Sequence, residues 1–232
     1  VTGIFQTLFF QNLHEKTGNK ILDVGCGTGL LGLAAEPYIS EGGLYTGIDI
    51  MDEEIGFCRK HFPEENYRFI HLNLANPSYA AEQNPELQPW PIEDESQDLV
   101  TGLSVWTHMR EEHARFYFNE VSRVLKHDGR AIISFFYLDE LYHASLSRRE
   151  DREGRYHATS QKLWVFDEPA YNSAEWYCPS WAKDPEDAIG LTPEAMDGLL
   201  KRSNLNEHLY YPGNWKEHPG VFFQDIFVFR KS

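Results

Sequence analysis

One stretch constrains the fold more than any other, the sequence ILDVGCGTGLLG at residues 21–32. A short apolar run is followed by three alternating glycines and then by apolar residues at helical spacing, which predicts a strand, a tight turn and a helix. Glycine permits a positive φ and lets a ligand approach bare backbone. The free amides at the start of the helix favour an anionic group such as a carboxylate or a phosphate.

Two classes of ligand fit this turn. Gly27, Gly29 and Gly32 satisfy the Gly-x-Gly-x-x-Gly pattern of dinucleotide-binding proteins, and Asp49 lies near the place where that pattern has a ribose-binding acid. Asp23 argues against a nicotinamide enzyme, because it falls at the predicted strand end, where such an enzyme normally needs no acid. The glycine pattern alone discriminates weakly between the two classes.

Length and charge narrow the possible partners. The 232 residues suit a single α/β domain, at residues 1–232, with some insertion. With 21 basic and 36 acidic residues the net charge is −15, which repels phosphate backbones and argues against nucleic acid as a partner. The three cysteines show no paired spacing, and no run is apolar and long enough to span a bilayer. We therefore expect a cytoplasmic protein without a membrane partner.

Strand and helix patterns alternate along the chain, which predicts a doubly wound, Rossmann-like α/β sheet that is mostly parallel. Helices are expected at the amino terminus, after the glycine turn, at residues 51–61 and 111–126, and from Thr192. Residues 78–91, rich in Pro, Gln and Glu, read as a surface loop. Seven strands are expected. The first precedes the glycine turn, and the others lie at residues 44–49, 67–72, 97–103, 130–137, 205–211 and 221–230. The last two of these are expected to form an antiparallel pair.

Four segments together favour one of the two ligand classes. They are DVGCGTG at residues 23–29, GIDI at 47–50, SVWTHM at 104–109 and EVSRVLK at 120–126. In this combination they resemble the class I S-adenosylmethionine-dependent methyltransferases, although His127 and Asp128 replace the usual Pro-Gly after the last segment. The resemblance covers most of residues 20–230. It implies a Rossmann-like fold with S-adenosyl-L-methionine as cofactor and S-adenosyl-L-homocysteine as product.

The resemblance also implies which residues bind the cofactor. Asp49 would accept both ribose hydroxyls, Ile50 would pack on the adenine, and Asp23 would orient the turn or meet the cofactor's ammonium group. Asn73 stands where many relatives carry an aspartate for the adenine amino group, and its amide oxygen can still accept that hydrogen bond. The remaining predicted cofactor contacts are the glycine turn, the residue after Asn73 and the end of the fourth strand: Gly25, Cys26, Gly27, Gly29, Leu74, Leu103 and Ser104.

Methyl transfer from a sulfonium requires alignment of two reactants and exclusion of water, and needs a general base only when the nucleophile arrives protonated. His108 is the candidate base, because it follows the fourth strand and an imidazole titrates close to neutral pH. A helix-capping or packed histidine is the alternative.

Four further residues are predicted to face the substrate, namely Trp106, Trp215, Gln224 and Asp225. For Trp106, a place in the core or the pocket wall is favoured over a part in the chemistry. Asp225 lies in an apolar run, so a structural pairing with a buried cation or backbone amide is its alternative role.

Residues 138–190 are too long for an ordinary connection and carry many aromatic residues, which argues against a disordered tail. We expect this insertion to form the acceptor side of the site or a lid over it. An added packing layer is the alternative. The charged run at residues 148–155 reads most simply as a solvated, self-paired segment.

The sequence therefore predicts a methyltransferase that modifies a small-molecule acceptor, at an oxygen of a sugar, glycoside or related metabolite. The sugar expectation comes from the resemblance of residues 213–226 to a branch of methyltransferases whose members occur beside sugar-modifying enzymes. A nicotinamide-dependent oxidoreductase and a non-catalytic binding subunit are the alternatives. No metal site is expected, and the protein would be a monomer or homodimer.

Overall fold

A computed structural model of the chain describes residues 2–74 and 87–231. The predicted surface loop at residues 78–91 lies outside the described residues except for its last five positions. Within the described ranges, no helix has the length and apolarity required to cross a membrane.

The described chain contains six α-helices and ten strands. The helices are α1 (Thr2–Asn12), α2 (Leu30–Ile39), α3 (Asp52–His61), α4 (Glu111–Val124), α5 (Glu140–Leu146) and α6 (Pro193–Leu200). The strands are β1 (Lys20–Val24), β2 (Leu44–Asp49), β3 (Tyr67–His71), β4 (Gln97–Gly102), β5 (Leu125–Tyr137), β6 (Phe166–Pro169), β7 (Trp176–Pro179), β8 (Gly190–Leu191), β9 (Leu205–Tyr211) and β10 (Asp225–Lys231).

Seven of these strands form the predicted sheet, with parallel β3, β2, β1, β4 and β5 side by side. Strand β10 pairs antiparallel with β5, and β9 pairs antiparallel with β10. The doubly wound, mostly parallel α/β fold is thereby confirmed. The described residues contain ten strands rather than seven, because β6, β7 and β8 extend the sheet from the end of β5. These strands contain only four, four and two residues, too few for a recognisable periodicity in the sequence.

Apolar layers cover both faces of the sheet. Ile21 and Leu22 are neighbours in β1 and are both fully buried, yet they belong to different core clusters. Successive side chains of a strand point to opposite faces, so a parallel strand covered on both sides is apolar throughout. Helices α1, α2 and α3 pack on one face, and α4 and α6 pack on the other.

The insertion builds a third apolar cluster with the end of β5 and the carboxyl-terminal segment. Its buried members are Phe136, Leu138, Tyr142, Phe166, Ala188 and Trp215. Arg149 lies beneath them, only 8% exposed, and donates to the carbonyl oxygens of Gln161, Trp164 and Trp215. The expectation of a solvated run at residues 148–155 is therefore wrong for Arg149, whose guanidinium ties the insertion together.

Candidate functional site

A cavity of about 410 Å³ opens at the carboxyl ends of β1, β2 and β4. This is the edge of the sheet at which parallel α/β proteins bind ligands. The predicted residues that line it are Gly25, Gly27, Asp49, Ile50, Leu74, Leu103, Ser104 and His108. Residues more than 80 positions apart in the sequence thus meet at one place.

The glycine turn forms one wall of the cavity, and two of its glycines are required for different reasons. Gly25 has a φ of 67°, and a Cβ there would collide with the side chain of Val105 in the loop after β4. Gly27 has a φ of 49°, and a Cβ there would project into open space beside the cavity. The first glycine lets two loops pack together, and the second leaves room for a ligand against the backbone.

Asp49 ends β2 and points its carboxylate across the mouth of the turn. Its Oδ2 accepts a hydrogen bond from the Gly27 amide at 2.8 Å, and its Oδ1 accepts one from the Met51 amide at 2.9 Å. A carboxylate has about four acceptor positions. Two hydrogen bonds therefore fix its orientation and leave acceptor capacity at the cavity.

Asp23 faces away from the cavity, into the layer under α1 and α2. Its carboxyl group accepts hydrogen bonds from the Tyr45 hydroxyl and, at 2.7 Å, from the Thr101 hydroxyl. Burial raises the pKa of the Asp23 carboxyl to about 7, although both hydrogen bonds act to lower it. Asp23 thus links β1 to β2 and β4, and its predicted role in orienting the turn stays a prediction.

Three other predicted cofactor residues lie beside the cavity without lining it. Cys26 and Gly29 are buried in the turn, and Asn73 is exposed after β3. Burial is the main cause that raises the pKa of the Cys26 thiol far above its ordinary value, which makes it an inert packing group.

His108 lies in a 3₁₀ turn, Trp106–His108, that follows β4. Its Nδ1 is 2.9 Å from the carbonyl oxygen of Glu186, which can only accept, so Nδ1 carries the proton of the neutral ring. Nε2 is then the unprotonated nitrogen. Burial lowers the pKa of His108 below its ordinary value, so the ring is neutral and basic at neutral pH.

The four residues predicted to contact substrate lie in the interior instead. Trp106 is fully buried and its Nε1 donates to the Ala114 carbonyl oxygen. Gln224 is 4% exposed and its Oε1 accepts from the Ser134 hydroxyl at 2.6 Å. Trp215 and Asp225 are fully buried and are joined by a hydrogen bond of 2.9 Å. None of the four lines the cavity.

Asp225 and Lys216 form the centre of a buried polar cluster. Lys216 Nζ donates to Asp225 at 2.8 Å, to Asp139 at 2.9 Å and to the Tyr210 hydroxyl at 2.9 Å. Asp225 also accepts from the Gly213 and Tyr137 amides and from the Tyr210 hydroxyl. This is the structural pairing that stood as the alternative for Asp225, because its acceptor positions are all occupied.

Sequence reasoning missed several residues that line the cavity. They are Val24, Ile48, Met51, Glu54, Leu72, Trp90, Val105, Met109 and Tyr117. Trp90 and Tyr117 stack at 5.6 Å between ring centroids, yet they come from a loop and a helix that share no sequence pattern. Met51 and Val105 directly follow the predicted site residues Ile50 and Ser104, so the same motifs could have predicted them.

The chemistry of the lining suits a nucleoside cofactor with a charged tail. A fixed carboxylate, Asp49, lies beside the apolar surfaces of Ile50 and Leu74, and the open backbone of Gly27 adjoins it. In the described part of the chain, no group of three or more His, Cys, Asp or Glu side chains is placed to hold a metal ion.

Comparison with known proteins agrees with this geometry. The family model described as a methyltransferase domain matches residues 22–133, which run from β1 to β5 and include the glycine turn, Asp49 and His108. Residues 22–133 therefore form a methyltransferase domain of the S-adenosylmethionine-dependent kind.

Relatives of this methyltransferase include two ubiquinone biosynthesis O-methyltransferases. The enzyme of Pasteurella multocida is 30% identical over 99 residues, which cover 43% of this chain and 39% of the relative. The enzyme of Vibrio vulnificus is 37% identical over 92 residues, which cover 40% of this chain and 34% of the relative. The methyltransferase thus spans less than half the length of these relatives.

Solved structures share the fold along nearly the whole chain. A methyltransferase from Methanosarcina mazei superimposes with a TM-score of 0.60 at 21% identity, covering 96% of each chain. One from Mesorhizobium loti gives a TM-score of 0.62 at 16% identity, covering 97% of this chain and 96% of the other. Neither alternative function predicted from the sequence gains support from these comparisons.

Proposed function

We propose that this methyltransferase methylates an oxygen of a small-molecule acceptor, with His108 as the general base. The observation that carries the proposal is the hydrogen bond from His108 Nδ1 to the Glu186 carbonyl oxygen, in a ring that lines the cavity. Two relatives are O-methyltransferases by name, which supports oxygen as the acceptor atom. A sugar, glycoside or related metabolite is the acceptor class that we propose.

The cofactor would be held by the glycine turn and by the ends of β2 and β4. Asp49 would accept from the ribose hydroxyls, Ile50 and Leu74 would pack against the adenine, and Leu103 and Ser104 would border the methionine portion. When bound, S-adenosylmethionine supplies an activated methyl group. The protein's task is then to align the acceptor oxygen and exclude water.

His108 would remove the proton that an alcohol loses on methylation. The hydroxyl O–H bond breaks as the oxygen–methyl bond forms, and the proton moves to Nε2 of His108. The resulting imidazolium keeps its hydrogen bond from Nδ1 to Glu186 O. A buried ring with a lowered pKa holds this proton weakly and releases it before the next cycle.

The end of the insertion borders this side of the site. Glu186 contacts the ring of His108, and the Ile189 amide donates to the Thr107 carbonyl oxygen at 2.7 Å. These contacts support an acceptor-side role for residues 138–190. A cytoplasmic location and a monomeric or homodimeric state stay predictions from the sequence.

The test compares His108→Ala and His108→Gln with the unaltered protein on a panel of hydroxylated sugars, glycosides and phenols. We expect turnover to fall by about 10²–10⁴-fold, while the affinity for S-adenosylhomocysteine stays within about twofold. Unchanged turnover in both variants would remove His108 from catalysis. Methylation of amines or thiols in preference to every hydroxyl would contradict the choice of oxygen.

A further inference from the structure

A buried chain of hydrogen bonds runs from Gln224 to the loop that follows β4. Gln224 Oε1 accepts from the Ser134 hydroxyl at 2.6 Å, and Ser134 Oγ accepts from the Ser104 backbone amide at 2.8 Å. The amide of Gln224 also lies 3.5 Å from the Thr107 hydroxyl. Ser134 and Thr107 are fully buried, so water does not compete for these hydrogen bonds.

The fold explains why a residue so distant in sequence reaches this loop. Strand β10 runs antiparallel to β5, and its first residue, Asp225, pairs with Phe135. The amino end of β10 therefore lies at the carboxyl edge of the parallel strands, next to the cavity. Gln224 and Ser134 form a two-residue bridge from that edge to the tip of β4.

Ser104 is the residue that needs such a bridge. Its φ is 57°, in the left-handed region that side chains other than glycine rarely adopt. A backbone of this kind persists only where its surroundings enforce it, and enforced strain is concentrated at functional sites. Ser104 lines the cavity, as do His108 four residues later and Val105 between them.

We propose that Ser134 and Gln224 are positioning residues for methyl transfer, because they hold the Ser104 backbone in its left-handed conformation at the cavity. The Gln224 carbonyl orients the Ser134 hydroxyl so that its lone pairs face the Ser104 amide. The loop that carries Ser104 and His108 is thereby fixed relative to the cofactor. This inference rests on the proposed function only in placing the transferred methyl group beside that loop.

The role differs from that predicted for Gln224 from the sequence. Gln224 does not line the cavity, so it acts through Ser134 and Ser104 rather than on the substrate. A positioning role changes turnover more than cofactor affinity, since the glycine turn and Asp49, which we propose to bind the cofactor, lie outside this hydrogen-bonded chain. A purely structural role would change stability alone.

The experiment uses Gln224→Met, which keeps the side-chain volume, and Ser134→Ala, which removes the acceptor for the Ser104 amide. Gln97→Met is the matched control, since Gln97 is 6% exposed and starts β4 at the opposite end from the cavity. We expect kcat to fall by about 10- to 100-fold in the first two variants and to stay unchanged in the control. Affinity for S-adenosylhomocysteine should stay within about twofold in all three.

A Ser104→Gly background tests whether Gln224 affects turnover through the strained backbone of Ser104. Glycine adopts a positive φ without penalty, so the bridge has less to enforce in that background. The loss of kcat caused by Gln224→Met should then shrink to less than about threefold relative to Ser104→Gly alone. Equal losses in both backgrounds would show that Gln224 acts independently of Ser104 and would overturn the proposal.

Hydrogen exchange of residues 103–109 gives a measurement that needs no acceptor and no turnover. We expect these amides to exchange at least about 10-fold faster in Gln224→Met and Ser134→Ala than in the unaltered protein or in Gln97→Met. Unchanged exchange would overturn the positioning role even if turnover fell. If exchange were faster in these variants and His108→Ala kept full activity, His108 would not be the general base, but Ser134 and Gln224 would still be positioning residues.

Discussion

Two aspartates at the same edge of the sheet, Asp49 and Asp225, both look like ligand-binding residues in the sequence, and the fold treats them in opposite ways. Asp49 accepts hydrogen bonds from two backbone amides and faces a cavity. Asp225 is fully buried and accepts from two backbone amides, an indole, a phenol and an ammonium group. An acid at a strand end is therefore available to a ligand only when acceptor positions are left open toward a cavity.

The largest effect that separates the two regions should come from Lys216→Met. The change removes the cation shared by Asp139 and Asp225 and leaves buried carboxylates without it. We expect the free energy of unfolding to fall by about 3–5 kcal/mol. Urea unfolding measures it, and Lys162→Met, at an exposed position of the insertion, should change it by less than about 0.5 kcal/mol.

Equal stability of the two lysine variants would contradict a structural role for the buried cluster around Asp225. Weaker binding of S-adenosylhomocysteine by folded Lys216→Met would contradict the separation of this cluster from the cofactor site. The buried cluster would then belong to the cofactor site.

The second effect concerns Asp49→Asn, which keeps the shape of the side chain and removes its charge. We expect affinity for S-adenosylhomocysteine to weaken by about 100-fold, as hydrogen bonds to a charged group contribute about 1.5–3 kcal/mol each. Calorimetric titration measures the change. Asp52→Asn, at an exposed neighbouring position, is the control and should bind normally.

A smaller effect concerns the pH dependence of turnover. Burial lowers the pKa of His108 below its ordinary value of 6.5, so the neutral base persists as the pH falls through that value. An ordinary histidine would lose about half of its base form at that pH. We expect kcat/KM to retain more than about half of its plateau at pH 6.5 and to fall only below it. An acid limb centred above pH 6.5 would contradict the burial argument.

The site residues that the sequence predicts well resemble Asp49, and those that it predicts poorly resemble Asp225. The glycine turn and Asp49 were predicted from the strand–turn–helix pattern, and Ile50 and Ser104 from the family resemblance. Asp49, Ile50 and Ser104 all line the cavity. Apart from the Ser145 hydroxyl, which lies four positions from Arg149, the hydrogen-bond partners of the Asp225 and Arg149 side chains are 9 to 88 positions away in the chain. No local pattern records such partners, so the sequence left Asp225 with two possible roles and wrongly placed Arg149 in a solvated segment.

The role of the insertion was also beyond prediction from local sequence patterns. Its aromatic richness was recognised, but whether the rings face a ligand or one another depends on three-dimensional packing. Phe136 stacks on Trp164 at 5.0 Å and meets Trp215 edge to face at 5.0 Å, and none of the three lines the cavity. Glu186, near the end of the insertion, does contact His108.

The smallest expected effect follows from this packing. Arg149 and the aromatic cluster hold residues 145–173 in place, so ligands should change proteolytic cleavage within that segment by less than about twofold. Limited proteolysis with and without S-adenosylhomocysteine and acceptor measures the rates. Protection above about fivefold would show that the insertion closes over the site as a lid.

The most direct test of the account is a calorimetric titration of the unaltered protein with S-adenosylhomocysteine and, separately, with NAD. The account predicts saturable one-to-one binding of S-adenosylhomocysteine and no measurable heat with NAD at the same concentration, because the cavity is built around Asp49 and the glycine turn of a methyltransferase. Binding of NAD, or the absence of binding by S-adenosylhomocysteine, would contradict it.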